Sequence, residues 1–260
     1  MVMKVACLQF DIQYGKPTQN KELILKEIHK AMQTKPDVII LPELWTTGYD
    51  LARLNEIGDV DGKDTKNFIS LLAKQHEVNI VAGSIAKKTV AGITNTMYVF
   101  NRQGECISEY SKVHLFKLMN EHLYLQPGNK KGLFNLDGIS SAGLICYDIR
   151  FPEWVRAHTI TGAKIIFIVA EWPLVRLDHW RALLKSRAIE NQCYIVACNR
   201  SGSDPNNQFA GHSLIINPWG EFLAEAGQNS TILTATLDLA IVSEIRKQIP
   251  IFEDRRPDLY

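Results

Sequence analysis

No apolar stretch in this chain approaches the ~20 residues needed to cross a bilayer as a helix; the longest, Ile165–Ala170, is the size of one buried strand. Excess charge of one sign is lacking too. Twenty-nine basic residues stand against 28 acidic ones, so no overall field would gather nucleic acid or an anionic membrane. Cysteine is sparse and unpatterned: five thiols, at positions 7, 106, 146, 193 and 198, form no C-x-x-C pair. That spacing suggests neither a disulfide framework nor a zinc site, and alternation along one strand would put Cys193 and Cys198 on opposite faces. Residues 1–10 have little basic character and no small-residue cleavage site, and they run straight into a strand pattern. Internal repeats, low-complexity tracts and linkers are also absent. These absences predict one cytoplasmic domain spanning residues 1–260, with a small molecule as its partner rather than nucleic acid or membrane.

What is present is a succession of short β-rich runs, at 4–10, 38–41, 79–84, 94–100, 106–110, 141–146, 164–170, 193–200, 212–217 and 232–238. Amphipathic segments fall between some of them: 18–33 with Ile24, Ile28 and Ala31, 64–75 with Phe68, Leu71 and Leu72, and 178–192. Asp64 and Asp178 read as N-caps, and Pro152 with Gly162 frames a further helix. Elsewhere strand follows strand through turns such as Asn101-Arg102-Gln103-Gly104. The mixture predicts an α/β fold in which two sheets pack face to face with helices outside, a four-layer α-β-β-α sandwich. Residues 112–131 form the one long irregular stretch, and loops of that length tend to be functional.

Three segments place a reactive group just beyond a strand: Leu41-Pro42-Glu43, Ser111-Lys112-Val113-His114, and Gly143-Leu144-Ile145-Cys146-Tyr147-Asp148-Ile149-Arg150. Taken singly, each has an ordinary reading as a cap, a surface charge or a small core residue. Together they supply a soft nucleophile, a proton acceptor and a cation where negative charge develops, which is what amide hydrolysis needs. Cys146 stands apart because Tyr147, Asp148, Arg150 and Glu153 follow it, whereas Cys7, Cys106, Cys193 and Cys198 sit in or at the start of apolar strand runs and read as packing residues.

These Glu, Lys and Cys segments resemble the motifs of the nitrilase superfamily of carbon-nitrogen hydrolases, and the resemblance covers nearly the whole chain. Residues 178–191, from Asp178-His179-Trp180 to Glu190-Asn191, resemble a helix of that family. Gly211-His212-Ser213 and Asn217-Pro218-Trp219-Gly220 resemble its late strand and turn. Lys112-Val113-His114-Leu115-Phe116, Asn120-Glu121-His122 and Cys146-Tyr147-Asp148-Ile149-Arg150-Phe151 look most like its omega-amidase branch, which hydrolyses the terminal amide of 2-oxoglutaramate or 2-oxosuccinamate. The resemblance implies the four-layer subunit, pairing into homodimers, a second glutamate at Glu121 and a pocket wall at Trp172.

The chemistry expected is a thioester route that needs no metal or organic cofactor. Glu43 takes the Cys146 proton, Lys112 and the Tyr147 backbone N–H hold the oxyanion, and Glu43, with Glu121 assisting, activates the hydrolytic water. Arg150 reads either as a partner for a substrate carboxylate or, the favoured option, as a structural partner of Glu153 or another acid. A nearer alternative keeps this site and changes the substrate to an N-carbamoyl compound or a nitrile. A distant one, a metal-dependent phosphoesterase built on Glu43, Asp148 and His212, leaves Cys146 and Lys112 idle.

Overall fold

The computed structural model describes residues 1–259. Thirteen strands and seven α-helices lie along them. The strands are β1 Val2–Gln9, β2 Val38–Ile40, β3 Asp59–Val60, β4 Asn79–Thr89, β5 Gly92–Phe100, β6 Cys106–Ser111, β7 Leu133–Leu136, β8 Ile139–Ile145, β9 Ile165–Ala170, β10 Tyr194–Asn199, β11 Leu214–Ile216, β12 Phe222–Glu225 and β13 Thr231–Asp238. The helices are α1 Pro17–Ala31, α2 Leu54–Ile57, α3 Lys63–His76, α4 Glu121–Tyr124, α5 Pro152–Thr159, α6 Leu177–Asn191 and α7 Ala240–Gln248.

One sheet runs β13-β1-β2-β4-β5-β6, with β3 paired to β4; the other runs β12-β11-β10-β9-β8-β7. Both are mixed. In the first, β1, β2 and β4 are parallel, and in the second β8, β9 and β10 are. Alternation along the strands decides what each face buries. Val5, Cys7, Val38, Ile40, Val81 and Val99 meet Ile145, Ile165, Phe167, Val169, Val196 and Cys198 in one inter-sheet core. Their neighbours Leu8, Ile39, Ile80, Ala82 and Phe100 point the other way, under Ile24, Ile28 and Ala31 of α1 and Ile69, Leu72 and Ala73 of α3. On the second sheet Val155 of α5 and Trp180, Leu184 and Ala188 of α6 close the outer side. Strands β2, β9 and β10 are apolar at nearly every position because both of their faces are covered. The result is the four-layer α-β-β-α sandwich.

Several expectations need correction. Asp64 and Asp178 are not N-caps: those positions belong to Gly62 and Arg176, and the two carboxylates lie in the first turn, where the positive end of the helix favours them. The side-chain cap on α3 comes from Asp59, whose two oxygens accept the N–H groups of Asp64 (3.2 Å) and Thr65 (2.8 Å). Cys106 is exposed at the start of β6 rather than packed inside. The stretch 112–131 contains the short helix α4.

Candidate active site

Glu43, Lys112 and Cys146 each follow the end of a strand (β2, β6 and β8), and the sandwich brings them together. The turn carrying Glu43 is built by close approach. Leu44 adopts a left-handed φ of 42°, its N–H donates to Ser84 Oγ at 2.9 Å, and the Trp45 indole donates to the Ala82 carbonyl at 2.8 Å. Gly83 lets β4 pass beneath: a Cβ there would lie 2.1 Å from the Pro42 carbonyl oxygen.

Cys146 also has a positive φ, 43°, a conformation that costs a non-glycine residue about 1–3 kcal/mol and persists where surrounding contacts enforce it. Asp148 is the enforcing group. Its carboxylate accepts the Ile145 N–H (3.0 Å), the Tyr110 hydroxyl (2.6 Å) and the His114 N–H (3.1 Å), and lies 2.8 Å from His114 Nδ1. The nucleophile turn is thereby tied to β6 and to the segment that carries Lys112. From the other side, Arg187 of α6 donates from Nε to the Ile149 carbonyl at 2.8 Å.

Lys112 is completely buried between two carboxylates that are themselves fully buried. Its Nζ lies 2.8 Å from Glu43 Oε1 and 2.6 Å from Glu121 Oε1. Burial opposes its charge, but Glu121 and Glu43 outweigh that opposition and hold the ammonium well above its ordinary pKa. Glu43 Oε1 also accepts from Asn95 Nδ2 (2.8 Å) and lies 3.3 Å from the Tyr49 hydroxyl oxygen, while its Oε2 accepts the backbone N–H of Glu171 (2.9 Å). Glu121 takes the Tyr49 hydroxyl at 2.5 Å and the Phe116 N–H at 2.7 Å. Burial raises the pKa of Glu121, against the pull of Lys112. Burial and then the charge of Glu43 push the Cys146 thiol well above its usual range, with Lys112 offsetting only part of the shift. The sulfur therefore keeps its proton in the free protein, and Glu43 is close enough to act on it.

A narrow pocket reaches Cys146 between Phe116, Tyr147, Arg150, Glu171, Trp172 and Arg176. Tyr147 packs on Phe116 at 4.7 Å between ring centres. Trp172 does two jobs, lining the pocket and packing on Trp180 at 5.3 Å. The pairing of Arg150 with Glu153 or another acid is not found among the described residues. Its guanidinium lies 4.9 Å over the Trp172 ring, with Nη2 3.3 Å from His179 Nδ1. Arg176, not singled out in the sequence, stands 5.4 Å over Phe116, and neither arginine has a carboxylate partner among the described residues. The phosphoesterase set does not assemble: Asp148 is spent on the nucleophile turn, and His212 Nδ1 is 2.8 Å from Glu225.

Tyr49, Asn95, Glu171 and Arg176 were missed in the sequence. Each is unremarkable in its local pattern, and only Tyr49 carried a signal, as a polar aromatic six residues beyond Glu43.

The carbon-nitrogen hydrolase family model matches residues 4–247. Over its whole length the chain is 55% identical to the full 2-oxoglutaramate amidase of Bacillus subtilis, and it is 37% identical to omega-amidase YafV of Escherichia coli K12 across 85% of each chain. Among solved structures, Saccharomyces cerevisiae Nit3, a member of branch 10 of the nitrilase superfamily, superposes with a TM-score of 0.91 at 28% identity, over 98% of this chain and 97% of that one. This chain belongs to the carbon-nitrogen hydrolase family, and it is an amidase that hydrolyses a small carboxamide.

Proposed function

We propose that this chain is a cytoplasmic omega-amidase that releases ammonia from the terminal amide of 2-oxoglutaramate or 2-oxosuccinamate through a thioester on Cys146. The observation that carries this reading is the pocket itself. A buried cysteine beside a Glu–Lys–Glu cluster lies at one end, and two arginines with no carboxylate partner among the described residues stand on the wall. An arginine fork is the side chain best matched to a carboxylate, and the proposed substrates carry one at the end away from the amide. The five free thiols suit a reducing compartment.

Because the Cys146 thiol is held protonated, proton transfer to Glu43 accompanies attack instead of preceding it. The oxyanion forms against Lys112 and the Tyr147 backbone N–H. Glu43 then passes the proton to the departing ammonia, and water activated by Glu43, with Glu121 beside it, opens the thioester.

An ammonia-release screen over 2-oxo amides, glutamine, asparagine, nitriles and N-carbamoyl amino acids tests the reading, with preference for the 2-oxo amides as the expected result. Turnover confined to nitriles or carbamoyl compounds would overturn it. Arg176→Ala and Arg150→Ala are each expected to raise KM for 2-oxoglutaramate by about tenfold or more, the worth of a charge-assisted hydrogen bond. KM for a neutral aliphatic amide should barely change. Equal changes for both substrates would remove the arginines from carboxylate recognition.

We also propose that the subunit pairs with a second copy through the face where Ile189, Trp219 and Ile249 line an apolar groove. All three side chains are exposed. Sedimentation velocity should give a dimer for the native chain and a monomer for Trp219→Asp; a native monomer at micromolar concentration would dismiss the pairing.

A further inference from the structure

The wall of the Cys146 pocket includes a residue with a buried polar atom that has no hydrogen-bond partner among the described residues. Glu171, the first residue after β9, is completely buried and lines this pocket. Its Oε2 accepts from Arg200 Nη1 at 2.9 Å, while its Oε1 has no hydrogen-bond partner. Arg200 is fixed in turn. Its Nη2 donates to Asp11 Oδ1 (2.7 Å) and the Ile12 carbonyl (3.0 Å), and its guanidinium lies 4.1 Å over Phe209. Buried polar groups in folded proteins are almost always satisfied, so an orphan on the wall of a reaction pocket points to a ligand group.

The form of the carboxyl follows from its surroundings. Burial, opposed by Arg200 and reinforced by the charges of Glu43 and Asp204, pushes Glu171 up to about 8, so near neutral pH it is largely protonated. Tyr49 faces it as a neutral phenol, and Cys146, Arg150 and Arg176 share the pocket. Oε2 already receives the Arg200 N–H, so the proton belongs on Oε1, which has no hydrogen-bond partner among the described residues.

We propose that Glu171 is a specificity-determining residue whose Oε1–H donates a hydrogen bond to an oxygen acceptor on the substrate between its amide and its carboxylate, the chemistry of an oxo group. This inference rests on the amidase reading above and deepens it. An ammonium at the same place, as in glutamine, offers only donors and would meet a donor, so the residue would separate 2-oxo amides from the corresponding amino acids.

The test compares wild type, Glu171→Gln and Glu171→Leu on 2-oxoglutaramate, glutaramate (which lacks the oxo group) and glutamine. Glutamine at 171 can keep Arg200 on its carbonyl and present N–H to the pocket, so Glu171→Gln should retain the wild-type preference. Glu171→Leu should lose about tenfold more in kcat/KM for the oxo amide than for glutaramate. Raising the pH through 8 removes the Glu171 proton, so the oxo-over-amino preference should fall in wild type and stay level in Glu171→Gln. The ratio of the two enzymes at each pH cancels changes in the substrate itself. Equal losses on all three substrates, or the same pH slope in both enzymes, would overturn the assignment, and the pH comparison decides even if Glu171→Leu fails to fold. A wild type that hydrolyses other amides but no 2-oxo amide would instead overturn the substrate reading, an outcome visible before any Glu171 variant is made.

Discussion

Cys146→Ala is expected to reduce ammonia release by roughly 10⁴-fold or more, because no other group in the pocket can form the covalent intermediate. The fold should survive. The residue is a small buried side chain at the head of a turn whose geometry is set by Asp148 and Arg187 rather than by the sulfur. Cys146→Ser should be nearly as inactive, since a buried hydroxyl is a far weaker acid than a thiol and Glu43 would have to remove a more tightly held proton. Iodoacetamide, itself a small carboxamide, should inactivate the wild type. Cys106 is exposed and will also be labelled, so the decisive protein is Cys106→Ser. It should still be inactivated at the wild-type rate, with the label on the Cys146 peptide. Turnover retained in Cys146→Ala, or protection from inactivation by Cys106→Ser, would end the thioester proposal.

The convergence of Glu43, Lys112 and Cys146 was legible because each follows an apolar strand run and is itself polar or nucleophilic, and strand ends are where such folds collect functional groups. The two-sheet architecture was legible for a related reason: strands buried on both faces read as continuous apolar runs, and helix faces announce themselves at their own period. What escaped was whatever depends on pairs distant in sequence. Asn95 lies among threonines in β5, and nothing about it signals that its amide will reach Glu43 at 2.8 Å. Glu171 and Arg200 meet at 2.9 Å across two strand ends, so neither shows its meaning until β9 and β10 lie side by side. The edge strands β7 and β12 were missed because short edges carry little pattern. The cap of α3 went astray because Asp59 reaches it from five residues upstream of Asp64.

Removing Lys112 should reveal how far the buried cluster depends on one cation. Two carboxylates and one ammonium share a site with no exposed atoms on any of the three side chains, and Lys112→Met deletes the charge while keeping most of the stem volume. The kcat should fall by about 10²–10³, the usual cost of an oxyanion donor. Stability should fall as well, by about 3–5 kcal/mol near neutral pH, because the remaining charges are left buried and unpaired. The pH dependence has a definite sign. Burial already raises the folded-state pKa of Glu121 while Lys112 pulls it down, so without the lysine it rises further above its unfolded value. A carboxyl shifted upward favours the fold while protonated and withdraws that support as pH climbs through the folded value. Melting of Lys112→Met should therefore approach wild type in acid and diverge from it toward alkaline pH. Lys112→Met combined with Glu121→Gln removes the second buried charge, and should regain about 1–3 kcal/mol and flatten the pH slope while recovering none of the lost kcat. A single variant that melts like wild type across that range would remove the ion cluster from the stability of the fold, and one that keeps its kcat would remove Lys112 from the oxyanion site.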